Sequence, residues 1–226
     1  MSEKILKALM RLFAIIAKSD DDSADARHVV EAYLKLQLNT EQVAEFLALY
    51  DGYLKMQDEG AEGEKKKRRL AVSSVKVLVI CDQINEELTQ KQKFIVVLNL
   101  IEFVSSKSTI VEQEMEFIET VSSSFNIPEE EFQLCLELAT KNSSAELKDH
   151  RDFLITTAKK ETGKTNSKYF HSDTFQDELT VMKVNSIGIY LIRYYGNTEL
   201  FLNGQNISKG KIYILSPGSS IRSSKI

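Results

Sequence analysis

Apolar residues recur at helical spacing through the first two-thirds of the chain. Ile5, Leu9, Leu12, Phe13 and Ile16 form one stripe, Val29, Ala32, Tyr33 and Leu36 a second, and Val43, Phe46, Leu47, Tyr50 and Leu54 a third. Asp22 or Ser23 is placed to cap the second helix, and Asn39 with Gln42 three residues on has the form of a capping box for the third. Pro128 is the only proline before residue 141, so the pattern predicts helix throughout that stretch, with a central helix over residues 65–88. From about residue 151 the character changes to β-branched and aromatic runs punctuated by glycine. Strands are predicted at 153–157, 179–184, 187–195, 200–203 and 211–215, with turns at Gly196-Asn197, Asn203-Gly204 and Pro217-Gly218. The fold class is therefore α+β: an all-α bundle over residues 1–145, then a small antiparallel β domain over 150–226, the boundary falling between Thr140 and Arg151.

The helical part repeats. Sliding the chain by eighty-nine residues, the separation of Leu12 and Ile101, also brings Ile15 onto Val104, Val29 onto Ile118, Leu38 onto Ile127, Val43 onto Phe132 and Phe46 onto Cys135, with no gap. Two related three-helix units joined by the central helix would produce that pattern, each covering the other's apolar face in a pseudo-symmetric core. Cys135 then takes the place of an aromatic core residue and reads as a small buried hydrophobe rather than a reactive thiol.

Composition narrows the class. Of 226 residues 42% are hydrophobic and 27% charged, close to an ordinary globular mix, which speaks against wholesale disorder. A net charge of -4 gives no overall attraction to nucleic acid or anionic lipid. No apolar run, residues 94–98 included, is long enough for a membrane span. Two cysteines without metal-type spacing suit a reducing compartment, and the expected location is cytoplasmic.

The repeat also sorts the acidic residues between the first two helices. Asp25 has a counterpart in Glu114, as an acid favoured by helix N-termini would, whereas Asp20 and Asp22 fall on Thr109 and Val111. Asp20, Asp21 and Asp22 are thus additional; they read either as a solvated, capped loop or, if this half holds a divalent cation, as its oxygen ligands, with Mg²⁺ or Ca²⁺ the ions that suit them. Lys65, Lys66, Lys67, Arg68 and Arg69 form a basic run that can serve as a solvated helix start or an interaction surface; no aromatic is interleaved for base stacking. Gly163-Lys164-Thr165 ends like a phosphate-binding loop but lacks the leading glycine and a following helix. His28, His150 and His171 have no neighbouring nucleophile motif, so no enzyme activity, no catalytic residue and no bound cofactor are expected.

Residues 8–20, Ala-Leu-Met-Arg-Leu-Phe-Ala-Ile-Ile-Ala-Lys-Ser-Asp, followed by a polar turn and an amphipathic helix, resemble the helical domain of tellurite-resistance TerB-like proteins. That family carries an Asp-Gly pair after the first helix and a glutamate early in the next, with acidic residues there proposed as a metal site. Asp20 matches the aspartate; Asp21 stands in place of the glycine and Arg27 near the glutamate. Residues 186–196, 199–205 and 218–222 are similar to the region ahead of the nucleotide-binding cassette in a group of bacterial ABC transporter ATP-binding proteins, where a TerB-like domain and a forkhead-associated-like β region come first. The Asn203-Gly204 turn fits the forkhead-associated pattern, while that family's Gly-Arg and Ser-x-x-His phosphothreonine elements are missing. The resemblance implies a noncatalytic accessory region at the cytoplasmic side of the inner membrane, part of a longer protein and incomplete in its β region. It would act on the cassette, the membrane part of the same transporter or a regulatory protein, through Lys65 to Arg69, Asn203 and Gly204, without nucleic acid. The alternative is a freestanding cation-binding stress-response protein.

Overall fold

The computed structural model describes residues 3–19, 23–35, 38–59, 66–105, 112–157, 165–172, 175 and 177–223. Among them lie seven helices: α1 (Glu3–Ser19), α2 (Ser23–Lys35), α3 (Thr40–Glu59), α4 (Lys66–Glu87), α5 (Gln90–Ser105), α6 (Glu112–Ser124) and α7 (Glu129–Thr140). Eight strands follow: β1 (Phe153–Thr157), β2 (Lys168–His171), β3 (Leu179–Val184), β4 (Ile189–Tyr194), β5 (Leu200–Leu202), β6 (Gln205–Asn206), β7 (Ile212–Leu215) and β8 (Ile221–Ser223). The chain is α+β and divides into two compact units, Met1–Glu129 and Glu130–Ile226. Helix α7 is therefore grouped with the strands, whereas the expected boundary lies after it, between Thr140 and Arg151.

In the first unit α1 is the central helix, packed against α2, α3, α4, α5 and α6. Leu9, Met10, Leu12, Phe13, Ala14 and Ala17 are completely buried, more than one stripe's worth, as a helix enclosed on most sides requires. The Phe13 ring stacks on Phe103 at 4.3 Å and meets the edge of Tyr33 at 5.4 Å. The Asn39–Gln42 capping box forms, with the Gln42 amide donating to Asn39 Oδ1 at 2.9 Å; Thr89 and Gln92 make a second one ahead of α5. The eighty-nine-residue shift carries the bounds of α2 onto those of α6 and the start of α3 onto that of α7.

Helix α2 departs from the expected stripe. Val30 and Leu34 are fully buried while Ala32 is exposed and Val29 and Tyr33 are half-buried, so the inward face is turned by one residue, about 100°. Tyr33 supplies the reason: its ring reaches Phe13 while its hydroxyl donates to Asn99 Oδ1, which places the amphipathic side chain at the edge of the core. Helix α6 ends in a Schellman motif. Asn126 takes the left-handed conformation at φ 53°, and the Ile127 amide donates to the Ser122 carbonyl at 3.0 Å.

In the second unit the main sheet runs β2-β1-β3-β4-β7 and a smaller one β6-β5-β8. All pairings are antiparallel except β1 with β2, which makes the larger sheet mixed rather than purely antiparallel as expected. Leu179, Ile192 and Tyr194 of the larger sheet pack with Leu200 and Ile207, and Leu202 and Ile221 of the smaller sheet close over them. Helix α7 is fastened at both ends. Glu131 accepts hydrogen bonds from the amide and hydroxyl of Ser186, and Arg193 donates from Nη1 to the Leu138 carbonyl near the helix C-terminus, where a cation also suits the dipole.

Candidate interaction surfaces

Asp20, Asp21, Asp22 and Lys65 lie outside the described residues, as do Gly163 and Lys164. Lys66, Lys67, Arg68 and Arg69 form the first turn of α4. Asn203 and Gly204, at φ 52° and 81°, make the two-residue turn between β5 and β6, a geometry that asparagine followed by glycine adopts at little cost. Asn203 is also fastened from its side chain: Oδ1 accepts from the Ser220 amide at 2.9 Å and Nδ2 donates to Ser219 Oγ at 3.2 Å. Its position thus has a structural explanation, joining the β5–β6 hairpin to the turn before β8.

The titratable groups of the second unit are engaged in the same way. Asp149 accepts from the amides of Asn166 and Ser167, and these bonds hold its carboxyl below the usual aspartate range. Burial would raise the Asp177 carboxyl, but hydrogen bonds from Thr198 and Tyr194 and from the amides of Thr198 and Asn197 outweigh it and leave it lowered. Glu178 accepts from the amide and hydroxyl of Ser144. His150 lies between Glu130, with Nε2 at 3.0 Å from Oε1, and Asp152. Burial pushes the Cys81 thiol up to about 11 and raises Cys135 further, so both are poor nucleophiles at neutral pH. Among the described residues no group of three or more His, Cys, Asp or Glu is placed to hold a metal, and no helix is long and apolar enough to cross a membrane.

Two exposed apolar surfaces were not anticipated. On α4, Val77, Cys81, Ile84 and Leu88 just beyond its end are buried, yet Val75, Leu78 and Val79 on the opposite side are 61%, 47% and 51% exposed. Leu78 borders a shallow groove whose remaining walls are Glu116, Glu119, Thr120, Ser123 and Ser124 of α6. A helix apolar on both sides carries more hydrophobic positions than one packing face uses, and that excess is readable in residues 75–84. The second surface is on the larger sheet. Phe170 is paired with Thr156, Leu154 with Val181 and Tyr190 with Lys183, which puts Leu154, Phe170 and Tyr190 on the face that carries the inter-sheet cluster. All three are nevertheless exposed, Phe170 at 58%.

A family model described as tellurite resistance protein TerB matches residues 6–136, more than half of the chain. The chain belongs to the TerB family. The TerB match begins in α1, includes α4 and its apolar face, and stops inside α7, so the strands and their exposed face lie beyond it. No curated protein and no solved structure matches the chain.

Proposed function

We propose that this chain is a noncatalytic recognition module, the TerB-like and β-rich accessory region of an ABC-type transport ATPase. The observation that carries the recognition reading is the exposed Leu154, Phe170 and Tyr190 on one sheet face. Solvated aromatic and aliphatic groups gathered on one face are what a protein partner desolvates on docking. The carboxylates of Asp149 and Asp177 in the same unit are occupied in holding loops, which supports binding rather than proton transfer as the task of this unit. The transporter assignment rests on the likeness of residues 186–222 to the segment ahead of an ATP-binding cassette, and its partner would be that cassette, the membrane part or a regulatory protein on the cytoplasmic side.

The coding sequence beyond Ile226 tests the assignment: a cassette with GxxxxGK[ST] is expected there, and a stop codon in its place removes it. Given a cassette, Phe170→Ser is expected to alter ATP turnover of the whole protein without changing nucleotide affinity; unchanged turnover rejects the coupling role. Membership of the TerB family and the run Asp20-Asp21-Asp22 favour a second reading, a divalent-cation protein. Calorimetry with Mg²⁺ and Ca²⁺ on the wild-type chain and on an Asp20→Asn, Asp22→Asn variant decides it, since absence of heat with the wild type eliminates the cation.

A further inference from the structure

We propose, resting on the recognition role of the same sheet face, that the uncovered part of the larger sheet seats an amphipathic helix of the partner whose apolar side is bordered by carboxylates. The register divides this face into rows that run across the strands. Lys168, Leu154, Val181, Ile192 and Tyr213 stand in one row. Phe170, Thr156, Leu179 and Tyr194 form the row on one side of it, and Lys183, Tyr190 and Leu215 the row on the other. The smaller sheet packs over Leu179, Val181, Ile192, Tyr194, Tyr213 and Leu215, which belong to β3, β4 and β7. A strip is left bare around that block. It carries Lys168 and Phe170 on β2, Leu154 on β1, Lys183 on β3 and Tyr190 on β4, all of them exposed.

Shape and charge choose the occupant. Stacked sheets lie about 10 Å apart, so the smaller sheet stands beside the strip as a wall of about that height. A helix with its side chains is about 10–12 Å across and fills such a ledge, whereas a flat bilayer meets the smaller sheet before it reaches Leu154. Phe170 and Tyr190 are three strand spacings and two rows apart, about 20 Å, the length of a helix of about thirteen residues. Rings that far apart give neighbouring bases no common stacking platform, which disfavours a nucleic-acid strand. Lys168 adjoins Leu154 and Lys183 is directly opposite Tyr190, and neither lysine side chain has an ion pair or hydrogen bond among the described residues. The acid nearest in the register, Asp152, is turned to His150, with Oδ2 3.7 Å from Nδ1. Asp149, Asp177 and Glu178 are held by loop amides. The strip is thus basic and apolar, and carboxylates beside an apolar stripe complement it. The two lysines are roughly 12 Å apart at the backbone, nearly along the line from Phe170 to Tyr190, so acids about two helical turns apart meet both.

The test is a display library of amphipathic helices about fourteen residues long, with leucines along one side and every other position randomised, selected on the full chain. Recovered helices are expected to carry Asp or Glu beside the leucines. Their affinity should fall about tenfold or more on Phe170→Ser and on the double variant Lys168→Glu, Lys183→Glu, as read by fluorescence anisotropy. All three positions are exposed, so circular dichroism should not change. Selection on the double variant should instead recover Lys or Arg beside the leucines, an exchange that apolar adhesion alone does not produce. Helices that need Phe170 yet bind the double variant as tightly as the wild type would overturn the acidic partner and leave the recognition role standing. Helices indifferent to Phe170→Ser, Leu154→Ser and Tyr190→Ser, or no enrichment over a chain carrying all three, would overturn both. Binding of the wild-type chain to phosphatidylserine vesicles that Phe170→Ser abolishes would give the face to lipid and overturn the helix.

Discussion

The two units spend their polar residues differently. In the helical unit the backbone is satisfied within the helices except at their ends, where Asn39, Gln42, Thr89, Gln92, Asn85 and Gln90 serve it, and assembly rests mainly on apolar side chains such as those of α1 and α5. In the β-rich unit short strands and long connections leave amides without ladder partners, and Glu131, Asp149, Asp177, Glu178 and Asn203 accept from them. The lesson is that an acidic residue in this chain has to be read against its unit. In a region of loops a carboxylate is first a replacement for a missing backbone acceptor, and only afterwards a candidate for chemistry.

The helical unit is most vulnerable at Phe13. Truncation to alanine removes a fully buried ring and its stack on Phe103, at an expected cost of about 3–5 kcal/mol. Urea unfolding followed by circular dichroism measures it, and a loss under about 1 kcal/mol would mean that the helical unit does not depend on this core. The counterpart in the other unit is Glu131→Ala, which strips the acceptor from the Ser186 amide and hydroxyl; about 1–3 kcal/mol is expected in the same measurement. Glu131→Gln, which keeps an acceptor, should recover part of that.

Legibility in the sequence followed the same division. Helices α1 and α3, whose stripes are long and strongly periodic, could be placed from residue pattern alone, and Ile5, Leu9, Val43 and Tyr50 are buried as expected. Strands β1 and β3 have the predicted bounds because one of their faces is covered. Strand β2 carries no sequence signal, since Lys168-Tyr169-Phe170-His171 pairs on one side only and has no buried row to give alternation. Helix α2 was read one residue out because Val29 and Val30 are equally apolar, and only the reach of Tyr33 to Asn99 chooses between them. The candidate surfaces are the least legible: the apolar excess of α4 shows in residues 75–84, but an exposed Phe170 differs from a core residue only in what fails to cover it, which no local pattern records.

Acid acts on the carboxylates that hold the β-rich unit. The carboxyl of Asp177 titrates lower in the folded chain than in the unfolded one, so its contribution is complete above about pH 4 and is lost as pH falls through the lower folded value. Wild type should therefore be more stable than Asp177→Asn near neutrality, and the gap should narrow on acidification. Melting temperatures of both proteins between about pH 3 and 7 give the comparison. A gap that stays constant would show that Asp177 acts through shape rather than charge.

The smallest effect, and the one of opposite sign, belongs to Tyr50. Its side chain is completely buried in the helical unit, its hydroxyl has no hydrogen-bond partner among the described residues, and burial with the nearby Asp51 charge pushes the phenol up to about 12. A hydroxyl taken out of water without a partner opposes folding, so Tyr50→Phe, which keeps the ring, should leave stability unchanged or raise it by up to about 1 kcal/mol. The same hydroxyl deletion at Tyr194, whose single proton is shared between Asp177 and the Thr198 carbonyl at 2.7 Å, should lower stability. If Tyr50→Phe also proves costly, the hydroxyl has an acceptor in the native core, and the helical unit relies on polar fastening after all.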